Sequence, residues 1–117
     1  MIENFGIGID LCNIERFKQK TFETNKSFYK KIFTEKEITY CLKYKNYHER
    51  FAGKFALKEA LIKSINTKIH PCKIETSHTK SKPIIKLIGI KEKYKFRVSL
   101  SHENNFAIAI IISEKIT

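Results

Sequence analysis

Asp10 and Glu59 are the two carboxylates whose surroundings suggest chemistry. Asp10 closes the run Gly6-Ile7-Gly8-Ile9-Asp10, in which bulky and bare positions alternate. Glu59 stands among Ala52, Ala56 and Ala60, with Lys58 and Lys63 beside it. Two hard oxygen ligands suit magnesium, which commonly takes one or two protein carboxylates, keeps several waters and completes its octahedron with substrate phosphate oxygens. Calcium would want more protein oxygens, and zinc would want His or Cys. Lys58 and Lys63 are suited to neutralising charge that builds on a phosphate during transfer. These residue types therefore point to a magnesium–phosphate site.

Each residue also has a plainer reading. Paired glycines in a strand serve close backbone packing, or leave room beside Asp10 for a ligand, and the two readings are compatible. Glu59 and Lys63 form an i,i+4 pair worth about 0.2–0.5 kcal/mol as a simple helix ion pair. Lys58 can run its stem over apolar neighbours and keep its ammonium in water. His102, at the end of Val98-Ser99-Leu100-Ser101-His102, can simply cap a hairpin. Cys12, Cys41 and Cys72 are odd in number and contain no CxxC, so neither a disulfide framework nor a zinc ribbon is expected. Cys72 lies near His70 and His78 without a ligand spacing, and these read as ordinary loop residues. A G-x-S-x-G elbow, a Walker A loop and a G-x-G-x-x-G loop are all missing, so any phosphoryl chemistry uses no common nucleotide loop.

The elements that must position these residues follow from periodicity. Residues 5–14 alternate as a strand, with Phe5, Ile7, Ile9 and Leu11 on one face and Gly6, Gly8, Asp10 and Cys12 on the other. A short basic helix runs from Arg16 to about Thr21, and a second carries Phe28, Tyr29, Ile32 and Phe33. Thr34-Glu35-Lys36-Glu37 is a capping box that opens a helix to about Tyr44. The longest helix runs from Tyr47 to about Asn66. With Phe51 at 0° on its wheel, Glu59 and Lys63 fall at about 80° and 120° among the alanines, and Lys58 at about 340° within the bulky arc. Beyond Pro71, strands are expected over Lys73–His78, Ile84–Ile88, Phe96–Ser101 and Phe106–Ser113. An irregular or helical piece is expected at Gly89–Lys95 and a connection at His102-Glu103-Asn104-Asn105. Strand, helices, then strands predict an α+β fold in one domain spanning residues 1–117.

The 117 residues are 42% hydrophobic and carry a net charge of +11. Between Arg16 and Lys63 stand 13 basic and 5 acidic residues, a local excess of +8. Such a field favours an anionic partner. No stretch approaches the roughly 20 apolar residues of a membrane span, and the N-terminal residues lack the pattern of a secretory signal. A cytoplasmic protein without membrane contact is expected. The main rival to an enzyme is a small basic nucleic-acid-binding domain, but no aromatic RNA-binding signature or helix-turn-helix pattern stands out. That rival also leaves Asp10 and Glu59 without a purpose. A catalytically dead interaction protein is a third reading, against which Asp10, Glu59, Lys63 and His102 argue.

Four blocks in order carry a resemblance: Gly6-Ile7-Gly8-Ile9-Asp10; Phe33-Thr34-Glu35-Lys36-Glu37; the run from Arg50 to Ala60 with Lys63 beyond; and Val98-Ser99-Leu100-Ser101-His102. Together they resemble the 4′-phosphopantetheinyl transferase family, in its short holo-[acyl-carrier-protein] synthase form. The resemblance implies transfer of the phosphopantetheine arm from coenzyme A to a serine of apo acyl carrier protein, with release of 3′,5′-ADP. It implies Mg²⁺ bound by Asp10 and Glu59, and a general base that is Glu59 or a magnesium-bound water near it. Lys63 matches the lysine near the pyrophosphate, and Lys54, Lys58 and His102 match residues around the coenzyme. Lys82 matches the lysine of the family's Gly-Lys-Pro, here Ser81-Lys82-Pro83, and is assigned to the coenzyme. Arg16 matches a docking arginine for the acidic carrier protein; Lys18 and Lys20 join it in that docking assignment, and Lys30 and Lys31 add charge. Asn66-Thr67-Lys68 replaces the family's Gly-Thr-Gly, with Asn66 expected to tolerate a left-handed turn. The implied fold is a long helix packed on an antiparallel sheet, and the implied assembly is a homotrimer with active sites at subunit interfaces.

Overall fold

The computed structural model describes residues 2–80 and 82–116. A 3₁₀ turn at Ile2–Asn4 leads into β1 (Phe5–Asn13), followed by α1 (Glu15–Gln19), α2 (Lys26–Ile32), α3 (Glu35–Leu42) and α4 (Tyr47–Ser64). A second 3₁₀ turn at Pro71–Lys73 precedes β2 (Ile74–Thr79), β3 (Lys82–Leu87), β4 (Lys93–Glu103) and β5 (Phe106–Ile116). Strands β1, β5 and β4 form an antiparallel sheet in that order, while β2 and β3 form a separate hairpin. The fold is α+β, with α4 laid across the larger sheet. Among the described residues no helix is long and apolar enough to cross a membrane.

The bare face of β1 is the buried one. A side-chain carbon at Gly8 would lie 1.7 Å from the carbonyl oxygen of Ala60, and one at Gly6 would lie 1.7 Å from that of Ser64. The space the glycines clear is therefore filled by the α4 backbone. Across the sheet, Gly8 pairs with Ile111 and Asp10 with Ala109, while Cys12 pairs with Ala107. Small residues on β1 and β5 bring the helix close, and that approach sets Glu59 and Lys63 beside Asp10. The bulky face turns outward. Ile7, Ile9 and Leu11 of β1 and Ile108, Ile110 and Ile112 of β5 are 38–65% exposed.

On the other side of α4, Phe17, Tyr29, Phe33 and Phe51 form an aromatic core, with Phe51 4.8 Å from both Tyr29 and Phe33. Tyr29 donates its hydroxyl to the carbonyl of Lys20 at 2.5 Å, satisfying the one polar atom this ring buries. That cluster holds the short helices α1 and α2, which are too brief to persist alone. The expected capping box is present: Glu37 N–H donates to Thr34 Oγ1 at 3.2 Å, and Thr34 N–H to Glu37 Oε1 at 2.8 Å.

Three expectations are adjusted. Strand β4 begins at Lys93 and continues through His102 to Glu103, leaving only Asn104 and Asn105 as the turn; Asn104 takes φ of 54°. The irregular piece is therefore shorter than 89–95, with Gly89 at φ of 71°. Asn66 is not left-handed, since among described residues outside glycine only Lys80 and Asn104 have positive φ. Chain direction after α4 changes instead at Ile65, which is extended, and Thr67 is tied by a 2.7 Å hydroxyl contact to Tyr94. Ser81, part of the Ser81-Lys82-Pro83 match, lies outside the described residues.

Candidate functional site

The first cluster lies at the β1 edge of the sheet. Asp10 projects from the inner face of β1, and its Oδ1 stands 3.4 Å from Lys63 Nζ. The same ammonium donates to the carbonyl of Ile9 at 3.0 Å and remains largely in solvent. Glu59 emerges one helical turn earlier on α4. Its pKa is raised, first by burial and next by the Asp10 charge, while Lys63 and Arg16 oppose the shift. A carboxylate whose ionisation is disfavoured by a neighbouring carboxylate makes with it a fit donor pair for a hard cation, which would offset that repulsion. Among the described residues no third His, Cys, Asp or Glu joins them. That count suits magnesium, whose remaining positions go to water and phosphate oxygens.

Arg16 belongs to the same neighbourhood. Its guanidinium lies 5.1 Å from the centre of the Phe55 ring, and its charge reaches both Glu59 and Cys12. Lys18 and Lys20 are exposed on and just after α1. Lys18 meets Glu15 at 3.6 Å and Lys20 sits over Phe28 at 4.0 Å. The basic helix thus stands beside the carboxylate pair.

The second cluster surrounds a cavity of about 80 Å³ at the β4 edge, lined by Tyr40, Arg50, Lys54, His78, Leu100 and His102. Among the described residues no carboxylate lines it. Arg50 and Lys54 are one turn apart on α4. Arg50 donates to the Tyr40 hydroxyl at 3.1 Å and lies 3.6 Å from the centre of the Tyr44 ring. Lys54 is buried, and burial lowers its pKa. His78 stacks on Tyr40 at 6.0 Å. Its pKa is lowered by burial, and the charges of Lys54 and Arg50 add to that. His102 is exposed against Gly53, where a side-chain carbon would approach its Nε2 to 3.3 Å. Such a pocket fits a compact anion.

The structure groups Asp10, Glu59, Lys63 and Arg16 in one cluster, and Lys54 and His102 in the other. It does not bring the two together within the chain. Lys54 and Glu59 are five positions apart, about 140° around the helix. Asp10 and His102 share the inner sheet face but lie on its opposite edge strands, two residues out of register, roughly 12 Å apart from two strand spacings and that offset.

Lys58 requires a correction. Its side chain is 1% exposed and its ammonium donates to Glu37 Oε1 at 2.5 Å, to the Ile32 carbonyl at 2.8 Å and to the Pro71 carbonyl at 2.9 Å. All three donors are used, so no N–H is left for a phosphate. Its place in the bulky arc of the wheel reflected burial, with polar partners supplied by distant segments. Lys82 is exposed at the tip of the β2–β3 hairpin and does not line the cavity. Sequence reasoning missed Tyr40, Arg50 and His78 as cavity residues. The Arg50–Lys54 spacing of four was a usable signal, whereas the position of His78 depends on hairpin docking that no local pattern encodes.

Comparison with known proteins agrees with this architecture. The 4′-phosphopantetheinyl transferase superfamily profile matches residues 6–111. A holo-[acyl-carrier-protein] synthase of Clostridium tetani is 40% identical, over 93% of this chain and 94% of that protein. The crystal structure of a Helicobacter pylori holo-[acyl-carrier-protein] synthase in complex with coenzyme A is similar at TM-score 0.76 and 30% identity, covering 92% of this chain and 99% of that one. A Bacillus anthracis holo-(acyl-carrier-protein) synthase, in complex with CoA (3′,5′-ADP), is similar at TM-score 0.76 and 29% identity, covering 93% and 95%. Fold, ordered motifs and these likenesses agree, and the chain belongs to the 4′-phosphopantetheinyl transferase superfamily.

Proposed function

We propose that this protein transfers the 4′-phosphopantetheine group of coenzyme A to a serine hydroxyl of apo acyl carrier protein, releasing 3′,5′-ADP. The observation that carries the reading is the pair of clusters flanking α4: two carboxylates with Lys63 at one sheet edge, and a carboxylate-free cationic cavity at the other. Coenzyme A has matching parts, a pyrophosphate where the bond breaks and a separate 3′-phosphate. Asp10 and Glu59 would hold magnesium, which supplies positive charge to the pyrophosphate when bound. Lys63, exposed at its ammonium end and held near Asp10, would neutralise charge as it develops on the leaving phosphate. The Glu59 carboxylate, standing beside that site, would accept the serine proton. Lys54, Arg50 and His102 would hold the 3′-phosphate.

Because α4 stands between the clusters, the reading includes a homotrimer in which one subunit's carboxylates face a neighbour's cavity. The exposed apolar face of β1 and β5 supports it, since contiguous patches of this kind mark protein interfaces. Arg16, Lys18 and Lys20 would receive the acidic carrier protein beside the carboxylates. A nucleic-acid-binding role accounts for the +11 charge but gives the carboxylate pair no work.

The test is the intact mass of apo acyl carrier protein after incubation with this protein, coenzyme A and magnesium. A gain of one phosphopantetheine group, prevented by a chelator, is expected. No gain with any of several carrier proteins would overturn the reading.

A further inference from the structure

The side chain of Lys54 does not hold its own place in the cavity. Its ammonium donates to the carbonyl of Thr76 at 2.8 Å and to the Thr76 hydroxyl at 2.9 Å. That hydroxyl can accept from Lys54 because its proton goes elsewhere, to Glu37 Oε2 at 2.7 Å. Glu37 Oε2 also takes the Thr76 backbone N–H at 2.8 Å, and its other oxygen takes Lys58 and the Thr34 N–H. Glu37, Lys54 and Thr76 are each at most 3% exposed. The carboxylate therefore orients a hydroxyl, and the hydroxyl orients an ammonium. Two of three Lys54 donors are committed, leaving one N–H for the cavity that Lys54 lines with Arg50 and His102.

We propose that Glu37 and Thr76 are positioning residues for anion binding, acting through Lys54 to set the affinity of the cavity for the 3′-phosphate of coenzyme A. This inference rests on the proposed role of the cavity. Neither residue touches the anion. Their work is to fix the direction of the Lys54 ammonium before the ligand arrives, so that binding spends little on ordering it. A hydroxyl with a free rotor would offer Lys54 a lone pair only part of the time; Glu37 removes that freedom.

The experiment uses the full chain with magnesium and compares coenzyme A with dephospho-coenzyme A, which lacks the 3′-phosphate. Glu37→Gln would also strand the buried Lys58, so Thr76→Val and Thr76→Ser are the working variants. For Thr76→Val, KM for coenzyme A is expected to rise about five- to tenfold, the cost of ordering one loosened long side chain when the anion binds. Its kcat and its KM for dephospho-coenzyme A should stay near the starting values, and Thr76→Ser should restore the original KM. In a Lys54→Gln background, Thr76→Val should add nothing further. An equal rise in KM for both substrates, or no rise for either, would overturn the positioning role. Lys54→Gln separately tests the cavity: if it leaves the preference for coenzyme A over dephospho-coenzyme A untouched, the assignment of the 3′-phosphate fails, and the positioning role falls with it.

Discussion

At the scale of single residues, Gly8 and His78 carry separate expectations. A methyl group at Gly8 would collide with the Ala60 backbone carbonyl, which cannot swing aside as a side-chain tip can. Gly8→Ala should therefore lose about 3 kcal/mol or more of stability in urea unfolding, at the upper end of overpacking effects. His78 bears on pH. Its pKa in the folded protein lies below 6.5, through burial and the Lys54 and Arg50 charges, so the unfolded chain binds a proton first as pH falls. Stability is lost as pH drops from about 6.5 through the lower folded value. Urea midpoints at pH 7.5 and 5.5 should converge in His78→Asn relative to the unsubstituted protein. The sequence already displayed Asp10 as a lone carboxylate on a bare strand face. What it left open was whether the glycines make room for a ligand or for backbone. The answer is backbone, and the site benefits indirectly because the helix carrying Glu59 is drawn in.

At the scale of elements, α4 organises everything. Its limits were legible to within about two residues because its apolar positions recur at helical spacing and Asn46 marks its start. The Thr34–Glu37 box was equally plain, being a purely local pattern. The second employment of Glu37 was not, since its partners Lys58 and Thr76 lie 21 and 39 positions away. The same limit explains Lys58: periodicity located it inside the molecule, while only the tertiary fold supplies Ile32, Glu37 and Pro71 as acceptors. Lys58→Met should cost about 3–5 kcal/mol, because it leaves the Glu37 carboxylate buried without its counter-charge. Differential scanning calorimetry would read that loss, and Lys58→Met combined with Glu37→Gln should recover part of it.

At the scale of the whole molecule, the outward face of β1 and β5 is the feature that the isolated chain leaves unexplained. Alternation in β1 was visible from the sequence, but which face would be buried depended on the helix packing against glycine. Ile110, in the middle of that face and 38% exposed, is a central point at which to test the assembly. Ile110→Lys should convert the proposed trimer to monomers by light scattering while leaving the circular dichroism spectrum in place, and activity should disappear with the trimer.

In the proposed homotrimer, the position of α4 between the carboxylate pair and the cationic cavity would allow two broken enzymes to repair each other. Glu59→Gln spoils one half of a composite site and Lys54→Gln weakens the other. Neither homotrimer should work well, but subunits dissociated together and reassembled in equal amounts can pair an intact half from each parent. Random assortment gives about one fully intact site in four, and the recovered rate should approach that fraction of the unsubstituted protein's. If both halves served within one subunit, mixing would recover nothing.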